Sequence, residues 1–215
     1  VGPVLALLFF LFEPGALIID PAEIGDAEGI ITALASNQTM AHVSALVVPL
    51  GLVLMLYGLA GINRVIREER MAAGLSRLGI LCMTIGAVGW ILTAGFTHVL
   101  AETQIGVEQE LQRAMSVYIV DSGVTIISSM VVSVGFIAFS LGLSAIYPPG
   151  FNKTAALVIT AVSVLALIAF IIGHTGTNAS MITVARACYF PWVAWSVILG
   201  VNSLKGSSFP QTADN

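Results

Sequence analysis

Residues 154–173, TAALVITAVSVLALIAFIIG, contain no Asp, Glu, Lys or Arg. An α-helix rises about 1.5 Å per residue, so about 20 apolar residues cross a bilayer core about 30 Å thick. This stretch therefore has the length of one crossing. Inside hydrocarbon every backbone N–H and C=O must find its partner within the protein, which leaves helices or closed barrels. The run is continuously apolar and lacks the alternation of a barrel strand, so it reads as a helix.

The same reading extends outward. Residues 78–100, LGILCMTIGAVGWILTAGFTHVL, are equally free of charge, and further apolar runs cover about 40–62, 124–147 and 183–203. A sixth covers about 1–19 and is interrupted by Glu13, Pro14 and Gly15. The expected fold is all-α: a polytopic integral membrane protein, a six-transmembrane-helix bundle forming one domain over 1–204, followed by a polar cytoplasmic tail over 205–215. Composition agrees, because 57% of the residues are apolar and only 9% charged, whereas soluble domains carry roughly a quarter charged side chains.

The connections carry their own signals. Asp20 to Gln38 is acidic and predicts a short helix over Ala27–Ala35, with Thr39 as N-cap of the next span. Pro49 is expected to kink span two, and Pro191 lies inside span six. From Leu111 to Tyr147 the helical pattern persists for about 55 Å, longer than the membrane is thick. Its N-terminal part must project, which places Asp121 at the interface. Gly79, Gly86, Gly89 and Gly95 in span three are small residues suited to close helix approach.

Charge sets the expected orientation. Arg64, Arg67, Arg70 and Arg77 lie between spans two and three, so the positive-inside rule makes that loop cytoplasmic. Both termini then fall on the cytoplasmic side. The inner face receives six of the eight Lys/Arg and three of the twelve Asp/Glu. Lys153 and Lys205 reach it without having been used to set it. Arg113 and Arg186 lie on the outer side with the other nine acids. The expected location is a bacterial cytoplasmic membrane, since outer-membrane residents are usually barrels.

With the helices threaded this way, His42, His98 and His174 all reach the outer face. Imidazole is a common metal ligand, so these three, with Glu102 as an oxygen ligand, are the candidate metal site. A transition metal or a haem held across His98 and His174 is the implied cofactor. The competing reading is interfacial histidines with apolar bodies and wet tips. Arg186, just inside the outer boundary, needs a partner. Asp121 is the first candidate for a structural ion pair, with Glu13 and Glu102 at similar depth, and an anion or headgroup site is the alternative.

Ser122, Ser128, Ser129 and Ser133 either line a polar path or bond their own helix. Cys82 and Cys188 form no framework, and no disulfide between them is expected. Asn37-Gln38-Thr39 and Asn178-Ala179-Ser180 match glycosylation acceptors. No His-Glu-x-x-His, Gly-x-Ser-x-Gly, phosphate loop or dinucleotide fingerprint occurs, so no catalytic residue is named and the reading leans away from an enzyme. The first expectation is an accessory or structural subunit of a larger integral-membrane assembly, with membrane lipid and other membrane subunits as partners and no nucleic acid. A metal- or haem-binding redox protein using the outer histidines and a small-solute or ion transporter are the alternatives.

Overall fold

The computed structural model describes residues 1–65, 70–176 and 178–204. Their regular structure is entirely helical: α1 Gly2–Leu11, α2 Ala27–Ser36, α3 Gln38–Val65, α4 Arg70–Ala101, α5 Glu108–Ile146, α6 Phe151–Thr175, α7 Ala179–Ala187 and α8 Tyr189–Leu204. The expected tail over 205–215 lies outside the described residues, as does the centre of the basic loop, 66–69.

Five segments among the described residues are long and apolar enough to cross a membrane: α3, α4, α5, α6 and the α7–α8 pair. This corrects the expected six. The first apolar segment stays helical for only 10 residues, about 15 Å, which is too short to cross. Its end has a local cause. Pro14 disfavours helical geometry at Glu13, and Gly15 adopts φ +84, a conformation that glycine enters without strain.

Helix α1 nevertheless occupies a place in the bundle, between α3 and α8. A Cβ built on Gly2 would lie 2.7 Å from the Gly51 carbonyl oxygen, and one built on Gly51 would lie 2.6 Å from the Ala6 backbone nitrogen. Only glycine permits this antiparallel contact. The remaining neighbours close a ring: α3 packs on α4, α4 on α5, α5 on α6, α6 on α7 and α8, and α8 on α1.

The α4–α5 pair is the most intimate. Cβ atoms added to Gly79 or Gly135 would fall within 3.0 Å of backbone on the opposite helix. Gly86 and Gly89 likewise face α5 at Val132 and Ser128, whereas Gly95 faces open space. Three of the four glycines expected to permit close approach do so.

Helix α5 has 39 residues, about 58 Å. Its projecting end packs with α2 and the end of α4, where Ile31, Leu34, Ala41, Leu100, Ala101 and Ala114 form a separate apolar cluster. Asp26 caps α2 by accepting from the Gly29 N–H at 2.9 Å. Thr39 is not a cap, because α3 already begins at Gln38 and the break falls at Asn37. The last crossing is divided at Cys188. Pro191 has no N–H to give the Ala187 carbonyl, so α7 ends there and α8 starts anew.

Antiparallel threading gathers α2, the α4–α5 turn and the α6–α7 turn at one end, here the acidic end. The α5–α6 turn at Tyr147–Gly150 lies at the other. Between them the core is aromatic, with Phe136, Phe139, Leu143, Trp192 and Trp195 buried.

Candidate functional site

The ring lines a partly open cavity of about 520 Å³, within the usual range for small-molecule sites. It is roofed by the segment that follows α1. Two side-chain contacts tie this segment down: Thr97 Oγ1 donates to Glu13 Oε1 at 2.9 Å, and Asn37 Nδ2 donates to Asp20 Oδ2 at 2.7 Å. Asp20 takes φ +41, which Asp tolerates better than most residues.

The polar end of the cavity carries Glu13, Asp121, Arg186 and His174. Enclosure by protein raises the Glu13 carboxyl above its ordinary range, while the Thr97 hydrogen bond and the positive charge of Arg186 pull it back. Asp121 Oδ1 and Ser44 Oγ are buried without a hydrogen-bond partner, and both residues line the cavity. Arg186 is exposed and lines it too.

The expected Arg186–Asp121 ion pair is not formed. The ion pairs among the described residues join His42 to Glu102 and Arg113 to Glu110. Arg186 and Asp121 project from α7 and α5, each of which packs against α6. They share a cavity without meeting.

The apolar end is built around Tyr189. Its ring centroid lies 5.7 Å from Trp90, 5.9 Å from Phe10 and 5.5 Å from Trp192. Ser129 Oγ joins Tyr189 OH at 3.1 Å and accepts from Trp90 Nε1 at 3.3 Å. Trp192 stacks on Phe136 at 4.6 Å and donates to Ser163 Oγ at 2.9 Å. Sequence reasoning had not singled out Tyr189, Trp90 or Thr97. Trp90 carried a usable signal, since a tryptophan in mid-span lies away from the interfacial belt where that residue concentrates.

The histidines divide. His42 on α3 and His98 on α4 meet with their Nδ1 atoms 2.6 Å apart, and His42 Nε2 lies 3.0 Å from Glu102 Oε1. His174 lies instead in the cavity wall, parallel to Phe170 one turn earlier. Among the described residues the three are therefore not grouped to share one ion, and His98 Nδ1, a candidate haem ligand atom, is engaged with His42 instead. Nor do the remaining three form a metal cup. The two nitrogens of one imidazole point apart, so His98 and Glu102 lie on opposite sides of the His42 ring. Among the described residues no group of three or more His, Cys, Asp or Glu is placed to hold a metal ion.

What these groups form is a hydrogen-bonded chain. Glu102 Oε1 is placed to accept from His42 Nε2–H, and of the facing Nδ1 atoms one must donate and the other accept, because two N–H groups cannot point at each other. Replacing His98 by Ala leaves His42 Nδ1 without this partner. The expected result is a loss of about 1 kcal/mol, read as faster amide exchange at the acidic ends of α3 and α4 with the basic end unchanged.

The serines mostly serve their own helix. Ser128, Ser129 and Ser133 donate to the carbonyls of Val124, Thr125 and Ser129, while Ser122 lines the cavity. Cys82 and Cys188 are both free thiols. The Asn37 and Asn178 side chains are engaged locally, Asn178 as N-cap of α7. Comparison with protein-family models, curated proteins and solved structures finds no match to this chain.

Proposed function

We propose that this chain is an integral membrane protein that binds a small amphipathic molecule in the cavity between its helices, as a carrier of solute or lipid rather than as an enzyme. The observation that supports this reading is the cavity itself. It has ionisable side chains at one end, aromatic rings at the other, and two buried polar atoms in its wall that no protein group satisfies. Buried polar atoms without protein partners point to water or ligand, and ionisable residues in membrane crossings mark pathways by default.

Purification in mild detergent followed by native mass spectrometry tests the proposal. One equivalent of a bound small molecule is expected, together with a change in tryptophan emission on ligand removal, since Trp90 and Trp192 line the cavity. An empty protein whose emission responds to no added amphiphile rejects it. A stoichiometric membrane-protein partner in place of a ligand would return the reading to an accessory subunit.

The proposed setting is a bacterial cytoplasmic membrane with the acidic end outside. Cysteine introduced at Glu28 and at Glu108 should react with an impermeant reagent added outside cells, and cysteine at Lys153 should not. Equal labelling of Glu28 and Lys153 positions from one face would refute the arrangement.

A further inference from the structure

The cavity holds charges of both signs that do not neutralise each other. Arg186 on α7 and Asp121 on α5 both line it, and among the described residues Arg186 makes no ion pair. Asp121 Oδ1 is buried with no hydrogen-bond partner, and so is Ser44 Oγ, on a residue only 1% exposed. Glu13 differs, since one of its oxygens is already held by Thr97. Glu23 and His174 also line the cavity, with the phenols of Tyr118 and Tyr189.

Each simple ligand class leaves part of this set unused. An anion would meet Arg186 but would also face Glu13, Glu23 and Asp121. A cation would satisfy Asp121 and make no use of Arg186, whose exposed guanidinium solvent otherwise satisfies, and an uncharged molecule would engage neither charge. A group carrying an ammonium and a carboxylate or phosphate satisfies both ends at once. Its ammonium can donate to Asp121, while its acidic group receives the forked guanidinium donors of Arg186. The aromatic end then accepts the apolar remainder.

Building on the cavity reading above, we propose that the ligand is a zwitterionic amphiphile, its ammonium at Asp121 and its acidic group at Arg186. Two sources share this chemistry: a free amino acid with an apolar side chain, or the headgroup of an ethanolamine phospholipid.

The experiment compares three soluble probes of one skeleton: free phenylalanine, phenethylamine and 3-phenylpropionate. Each is titrated into the detergent-purified chain with tryptophan emission as readout. A parallel arm compares phosphatidylethanolamine with phosphatidylglycerol by native mass spectrometry. The zwitterion of at least one arm is expected to bind about ten- to a hundredfold more tightly than its singly charged counterparts, the factor that a charge-assisted hydrogen bond contributes. Retention of phenylalanine identifies the free source, and retention of phosphatidylethanolamine alone identifies the lipid source.

Arg186→Gln should bring phenethylamine level with phenylalanine, and Asp121→Asn should do the same for 3-phenylpropionate. If a singly charged probe binds as tightly as the zwitterion in both arms, the zwitterion proposal is wrong while the cavity reading stands. If no probe and neither lipid binds, the cavity reading itself fails. Should a variant fail to fold, the ranking of ligands on the unmodified chain still decides.

Discussion

Gly79→Val is expected to disrupt the bundle, while Gly95→Val on the same helix should leave it intact. A Cβ at position 79 would lie 2.6 Å from the Phe139 backbone nitrogen and 2.8 Å from the Gly135 carbonyl oxygen. These are backbone atoms, so no rotamer change relieves the contact and α4 must move away from α5. Overpacking costs about 1 to 3 kcal/mol where side chains can yield, and the upper end or beyond is expected here. Association of helices in lipid rests on close packing rather than on a hydrophobic drive, so separating this pair also removes much of what holds it. At Gly95 an added Cβ meets nothing within 4 Å. Thermal unfolding in detergent, followed by tryptophan emission, should show a markedly lower midpoint for the first variant and none for the second. Equal midpoints would show that the seam is looser than the glycines imply.

Trp192→Ala should produce the second large loss. The indole is 3% exposed, stacks on Phe136 with an interplanar angle of 11°, and donates to Ser163. Truncating a buried Trp in a soluble core costs about 3 to 5 kcal/mol. Part of that figure is transfer from water, which is absent when lipid is the alternative, so about 3 kcal/mol is the expectation. Trp192→Phe separates the contributions. It keeps a ring beside Phe136 and forfeits one hydrogen bond, about 1 kcal/mol; Ser163 retains its own bond to the Ile159 carbonyl. Because Trp192 lines the cavity, the alanine variant should also weaken ligand binding. A variant as stable as the parent would place the stabilising contacts elsewhere in the bundle.

The crossings were legible because hydropathy over twenty residues is a bulk property that local detail rarely reverses. The runs at 78–100 and 154–173 needed only length and the absence of charge. The excess length of α5 was legible for the same reason. Interruptions were harder to weigh. Glu13-Pro14-Gly15 was visible as a break, but its consequence, a first helix ending at Leu11, depends on the conformation of Gly15. Pro191 was read as lying inside a span, and it does; the break three residues before it, at Cys188, was not foreseen.

The candidate site was half legible. The depth of His42, His98 and Glu102 followed from counting residues. That α3 and α4 are adjacent, while His174 lies in the cavity wall on α6, depends on the order of helices around the ring, which spacing along the chain does not encode. Arg186 and Asp121 were matched in depth by counting residues, and both line the cavity. Their separation arises from the space between them, and a cavity leaves no mark in a linear pattern. Depth is a one-dimensional quantity and convergence is not.

The serines of α5 have a consequence for how the chain enters the membrane. Ser128, Ser129, Ser133 and Ser140 each return their hydroxyl proton to a carbonyl one turn back. This bond is available as soon as the helix forms, before any neighbour arrives. A hydroxyl already bonded to its own helix presents less unsatisfied polar surface to lipid than a free one, so these four serines weigh less against a lipid surrounding. The same hydroxyl oxygens keep lone pairs for later use: Ser129 for Trp90 and Tyr189, Ser140 for Thr160. One hydroxyl thus serves its own helix with its proton and a neighbouring helix with its lone pairs.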